Sequence, residues 1–140
     1  MPVAPPSDIQ KSIVRKGWAT TALMQDQTAR AFYSNLFQIA PQTRALFRGD
    51  MDVQGRKLVN TLGFVVDHLD DAETLLPEAR ELAVRHVRYG VTADQYDAVG
   101  AALLQTLQDL LGDGFGAEDR AAWAAVYESL AHEMKRAAYP

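Results

Sequence analysis

With 140 residues, 48% of them apolar, the chain can bury one compact core and has no length for a second. Its formal charge of −4 sets up no basic field to draw in nucleic acid or an anionic membrane surface, so neither is expected as a partner. The absence of cysteine excludes disulfides, thiolate metal sites, cysteine nucleophiles and thiol redox switching.

Residues 1–6 include Pro2, Pro5 and Pro6, which cannot donate helical hydrogen bonds, and are expected to form a short disordered lead to a single domain over 7–140. They lack the basic stretch and apolar run of a signal peptide, and nowhere does the chain approach the roughly 18 apolar residues that span a bilayer. A soluble, cytoplasmic protein is expected, as a monomer or a homodimer.

Ser7 with Gln10 reads as a capping box, and Ile9, Ile13, Val14, Gly17, Trp18 and Thr21 mark one face of a first helix. Leu23, Ala31, Phe32, Leu36 and Phe37 carry a second stripe that stops near Pro41, with room for a short helical turn from Thr43 to Phe47. A long central helix follows, with Val53, Leu58, Leu62, Val65, Val66 and Leu69 on its stripe up to Asp70-Asp71. Pro77 suits the first turn of the next helix, in which Leu82, Ala83, His86 and Val87 share a face until Gly90 stops it. Thr92 and Gln95 predict a second capping box, opening a helix that bears Tyr96, Val99, Leu103 and Leu107 and ends at Gly112. The last helix, from about Ala117, places Trp123, Val126, Tyr127, Leu130 and Met134 on one stripe. No period-two alternation and no internal repeat is present, so the fold class is all-α.

The chemistry rests on few residues. There is no glycine-rich phosphate loop, G-x-S-x-G elbow or H-x-x-x-H metal pair. Of the three histidines, His68 and His132 lie among charged neighbours and are expected in solvent. His86 follows Leu82 and Ala83 by one turn and points with the apolar stripe, while Arg85 and Arg88 can stay in water. A buried imidazole needs a hydrogen-bond acceptor or a metal, and haem iron is one such partner. Gln54 and Leu58 share a face of the central helix, and Tyr33 lies one turn before Phe37. These residues suit either an ordinary core with a surface glutamine or the wall of a cofactor pocket.

Five segments carry a resemblance. Phe32-Tyr33-Ser34-Asn35-Leu36-Phe37, Pro41-Gln42-Thr43-Arg44-Ala45-Leu46-Phe47, Leu82-Ala83-Val84-Arg85-His86, Gln95-Tyr96-Asp97-Ala98-Val99-Gly100, and Ala122-Trp123 with Tyr127 occur in order and nearly ungapped. In them the chain resembles the bacterial haemoglobins, both single-domain globins and the haem domain of flavohaemoglobins, from about Ile9 to Met134. The resemblance implies a globin fold, a three-on-three helical sandwich around haem b (iron protoporphyrin IX). It makes His86 the proximal iron ligand, Phe47 the aromatic on the haem face, Tyr33 and Gln54 the distal polar pair, and Leu58 the apolar distal gate. It also places Val91, Tyr96 and Val99 along the cofactor. Lys57 and Arg85 become either haem-propionate partners or solvated charges.

The resemblance implies reversible binding of O2, CO and NO for oxygen binding, storage or delivery. An alternative is an NO dioxygenase using Tyr33 and Gln54 with a separate reductase, since no flavin or nicotinamide domain follows before Pro140; a haem-based gas sensor is another. One departure stands out. Tyr96 matches the tyrosine that in flavohaemoglobins holds the proximal histidine together with a last-helix glutamate, but the glutamate position falls at Ala138. Glu133, more than a turn earlier, is not expected to replace it, and less electron push on bound oxygen follows.

Overall fold

The Ser7 side chain accepts the Gln10 amide while the Gln10 side chain accepts the Ser7 amide, at 3.1 and 3.0 Å, closing the capping box that opens α1 (Asp8–Thr21). The computed structural model describes residues 4–139, of which 4–6 precede this cap as non-helical chain. The first three residues of the expected lead lie outside the described residues. A 3-10 turn (Ala22–Met24) joins α1 to α2 (Gln25–Ile39), and a second such turn (Pro41–Leu46) follows where Pro41 forbids further α-helix. The chain continues through α3 (Met51–Asp67), α4 (Ala72–Arg88), α5 (Gln95–Leu111) and α6 (Ala117–Ala138), with a 3-10 turn at Gly112–Gly114. No strand occurs among the described residues, and no described helix is long and apolar enough to cross a membrane.

The helices pack as α2 across α5, α4 on α6, α1 on α6 and α3, and α2 on α3. Val14, Phe32, Leu36, Val59, Leu107 and Trp123 fill the main core, and a second apolar cluster, with Ala83, Tyr96 and Met134, lies between α4 and α6. Asn35 pins α2 to α5 by donating to Thr106 Oγ1 at 3.1 Å and Asp109 Oδ2 at 3.2 Å. The α2–α3 crossing is close because Gly55 has no side chain: a Cβ there would lie 2.8 Å from the Ala29 Cβ. By contrast, the consecutive helices α3 and α4 scarcely touch.

The structure corrects the sequence reading chiefly at helix ends. Ile9, in the first turn of α1, is 74% exposed, and Leu23 is 86% exposed because the 3-10 turn winds it off the helical stripe. Val53 and Val87 occupy the first turn of α3 and the last of α4 and are partly exposed, at 37% and 42%, since these ends overhang the core. Pro77 is not in a first turn. Asp71 caps α4 by accepting the Thr74 amide at 3.3 Å, so the helix begins at Ala72 and holds Pro77 in its interior. Only one arm of the second capping box forms, the Thr92 amide donating to the Gln95 side chain at 2.9 Å. His68 and His132 are half-buried rather than solvated; His68 stacks on Phe64 with its Nδ1 2.8 Å from the Phe64 carbonyl.

Candidate functional site

Helix α4 turns its small residues Ala79 and Ala83 to α6, and the same stripe brings His86 to the half-buried end of the helix. Gly90, at φ +94°, provides the left-handed turn that ends α4. Across this turn the Val91 amide donates to the His86 carbonyl at 3.0 Å, tying the loop to the backbone of the histidine. His86 Nδ1 is buried with no hydrogen-bond partner. Burial holds the ring's pKa below its ordinary value; the nearby Leu82 carbonyl, not in hydrogen-bonding geometry, opposes this, and the Arg85 charge adds to it. The imidazole is therefore neutral at neutral pH, the form that ligates metals. Tyr96 of α5 lies 6.4 Å from His86 between ring centroids, and its buried hydroxyl is likewise unpartnered.

Between α3 and α4 lies a cleft of about 200 Å³, lined by Asn60, Thr61 and Phe64 of α3, Leu82 and Arg85 of α4, and Leu130 of α6. It is a place where the two helices stand apart, and apolar carbon makes up most of its wall. Among the described residues no three His, Asp or Glu side chains converge.

On the α2–α3 side, Tyr33 packs edge-on against Phe47 at 5.1 Å and stacks with Phe37 at 6.0 Å. Its hydroxyl donates to the backbone carbonyl of Gln54 over a long 3.4 Å. Burial pushes the phenol pKa up to about 12, so the group stays a neutral donor through the physiological range. The Gln54 carboxamide is half-buried and makes no hydrogen bond among the described residues, while Leu58, one turn on, packs against the main core. A second cleft, about 170 Å³ and open between α2 and α3, reaches Tyr33, Phe37, Gly55 and Val59.

The structure thus gathers Tyr33, Phe47, Leu58 and Val99 at one apolar cluster and Val91 and Tyr96 at the other. Lys57 is exposed, and Arg85 is half-buried with its guanidinium 3.7 Å from Glu81. Sequence reasoning set Phe37 beside Tyr33 but missed Tyr139. Phe37 bridges Tyr33 and Phe47 and lies under the Arg44 guanidinium at 5.3 Å. Tyr139 packs edge-on against Tyr96 and donates to the Val91 carbonyl, and no local spacing signals a contact between residues so far apart. Ala138 packs apolar at the end of α6, and Glu133 faces Arg80 and Arg136 at 3.8 and 3.4 Å.

The family model for Globin matches residues 30–134. The chain belongs to the globin family. This globin is 34% identical over 105 residues to a flavohemoprotein of Bordetella parapertussis, covering 73% of the chain and 26% of that protein. A flavohemoprotein of Halalkalibacterium halodurans is 28% identical over 134 residues, covering 94% and 33% respectively. The Globin-2 B chain of Anadara inaequivalvis is 28% identical over 128 residues, covering 84% and 85%. The globin thus spans about a quarter to a third of the length of the flavohemoproteins it matches and most of the length of the Globin-2 chain. The six α-helices among its described residues are those of the all-α globin fold.

Proposed function

We propose that this haem-binding globin reversibly binds O2, and also CO and NO, with His86 as the residue that would hold the iron of haem b. The observation that carries the reading is His86 itself: a neutral, half-buried imidazole at the end of α4 with an unpartnered Nδ1, its neighbours Leu82 and Arg85 lining the cleft toward α3. When bound, the haem supplies a ferrous iron whose open position takes a diatomic gas.

The chain's own residues account for the rest. Phe47 and Leu58 supply apolar wall and keep water from the site. Tyr33 and Gln54 supply donors on the α2–α3 side; a phenol and a carboxamide both hydrogen-bond to a ligand that gains negative charge, and a carboxamide is a poor iron ligand. Lys57 and Arg85 are the cations available to the propionates. Nitric oxide oxidation with a separate reductase is the second reading, favoured by similarity to flavohemoproteins. It is weakened by Ala138, which brings no carboxylate to Tyr96, and by Glu133, which is engaged with Arg80.

The test is an absorption spectrum of the reduced protein before and after exposure to O2, for wild type and His86→Ala. A Soret band that shifts to a stable oxygenated form in wild type and is lost in the variant is expected. A band unchanged by the substitution would assign the iron to another residue, and no band after reconstitution with haem would remove the reading altogether.

A further inference from the structure

We infer that one end of this globin is a docking surface for an acidic one-electron donor protein; the inference rests on the haem reading above. The charge of the chain is unevenly spread. Residues 41–57 and 85–91 carry six of the 14 Lys and Arg, namely Arg44, Arg48, Arg56, Lys57, Arg85 and Arg88, but only two of the 18 Asp and Glu, Asp50 and Asp52. The net charge of −4 therefore combines a cationic part with a larger acidic remainder. Three contacts bring the cationic segments to the same end. A Cβ at Gly90 would lie 3.4 Å from the Leu46 side chain, so the turn after α4 rests on the 3-10 turn Pro41–Leu46. The Arg44 guanidinium covers Phe37, which lines the same cleft as Met51 and Arg56 at the start of α3. Arg85 lines the α3–α4 cleft with Thr61, one turn beyond Lys57.

Arg44, Arg48, Arg56, Lys57 and Arg88 are exposed, and none makes an ion pair among the described residues. By contrast, Lys11 and Arg15 are engaged with Asp70, and Arg80 and Arg136 with Glu133. Of the two acids in these segments, Asp50 is occupied as the cap of α3, accepting the Asp52 amide at 2.8 Å. Val53, Val87 and Tyr89 of the same segments are exposed and give the cations apolar ground. Unpaired charge with scattered apolar contact suits a partner of opposite charge that docks fast and leaves again, as electron donors do. Only ferrous iron takes a diatomic gas reversibly, so an oxidised iron must be given an electron, and without cysteine the chain has neither a thiol couple nor ligands for an iron–sulfur centre. In the step itself the donor protein loses one electron, the ferric iron gains it and becomes ferrous, and no covalent bond is made or broken. Lys57 and Arg85, the cations available to the propionates, belong to this end, so the partner meets the molecule where the haem reading puts the cofactor.

The test uses the haem-loaded full chain and two reductants: fully reduced flavodoxin, an acidic one-electron donor protein, and reduced riboflavin, a small donor that needs no docking surface. With flavodoxin the second-order rate is expected to fall by about tenfold from 0.01 to 0.15 M salt, as the reach of the charges shrinks from about 30 to about 8 Å. Arg48→Glu combined with Arg88→Glu changes two exposed, unpaired side chains and leaves the fold standing. It is expected to slow flavodoxin by about tenfold at low salt, whereas Lys16→Glu with Arg120→Glu, the same change of net charge outside these segments, slows it by less than about threefold. Riboflavin should reduce all three proteins alike. In the CO-saturated reduced protein, oxidised flavodoxin should shift the amide resonances of 44–57 and 85–91 and leave those of α1 in place. A flavodoxin rate indifferent to salt, equal slowing by the two double variants, or shifts spread over the acidic remainder would overturn the inference and leave the haem reading intact. Shifts at this end on concentrating the protein alone would assign the surface to a second copy and overturn it as well. Absence of any haem band would overturn both.

Discussion

At the scale of single residues, Tyr33 shows how a buried phenol can remain available. Its hydroxyl is held only by the long bond to the Gln54 carbonyl, and burial keeps it protonated far above neutral pH. Little is lost when it turns toward a bound gas. Tyr33→Phe is therefore expected to speed O2 dissociation by about 10- to 100-fold, the equivalent of roughly 1.5–3 kcal/mol for a hydrogen bond to a charged acceptor. Stopped-flow displacement of O2 by CO measures this directly, and an unchanged rate would show that the hydroxyl does not reach the ligand. The apolar stripes around Tyr33 and Phe37 and around Leu82 were legible in the sequence because they sit in short, dense segments; the structure places them at two separate clefts. Tyr139 was not legible, since its partner Val91 is brought to it only by the packing of α4 on α6.

At the scale of elements, two joints can be tested. The first is the α2–α3 crossing, which sets the distance between Tyr33 and the Gln54 backbone. Gly55→Ala places a methyl 2.8 Å from the Ala29 Cβ, and the helices must part to admit it. A loss of about 1–3 kcal/mol in chemical denaturation is expected. Adding Ala29→Gly should recover part of that loss; a strictly additive double variant would place the strain elsewhere. The second joint is Asp70, which follows α3 and accepts from Lys11 at 3.0 Å and from Arg15, both on α1. These two cations hold its carboxyl below the usual carboxylate range. A carboxyl depressed in the folded state stabilises it above the unfolded pKa, about 3.9, and that contribution is lost as the pH falls through the lower folded value. The melting temperature of Asp70→Asn should accordingly fall below that of wild type near pH 6 and converge with it as the pH drops under about 4. A gap that persists in acid would exclude the ion pairs as its source. Asp70 also explains a boundary that the sequence left ambiguous. The pair Asp70-Asp71 reads as the end of one helix, whereas one carboxylate serves α1 and the other caps α4, and periodicity carries no sign of either task. Helical spacing likewise identifies a face without telling where the face runs past its neighbour, which is why Ile9 and Val53 were placed inside.

At the scale of the whole molecule, stability is concentrated where α2, α5 and α6 meet. Leu107 is 1% exposed in that core, and Leu107→Ala should cost about 2–5 kcal/mol in equilibrium unfolding, a large share of what a domain of this size possesses. A cost under about 1 kcal/mol would mean that the core can collapse onto the void. The helix that carries the histidine is built on a different plan. Pro77 has no amide proton, so the Glu73 carbonyl one turn before it has no partner in the ladder of α4. Ahead of Pro77 the residues are exposed or half-buried; beyond it, Ala79 and Ala83 are sealed against the last helix. One helix by shape is thus expected to behave as two cooperative units. The stretch 72–76 is expected to melt and re-form on its own, opening the wall of the α3–α4 cleft at Leu75 while Ala79 and Ala83 stay packed. Native-state exchange should show this as fast, denaturant-insensitive protons before the proline and slow, globally protected ones after it. A cofactor could then pass into or out of the site without the molecule ever unfolding as a whole.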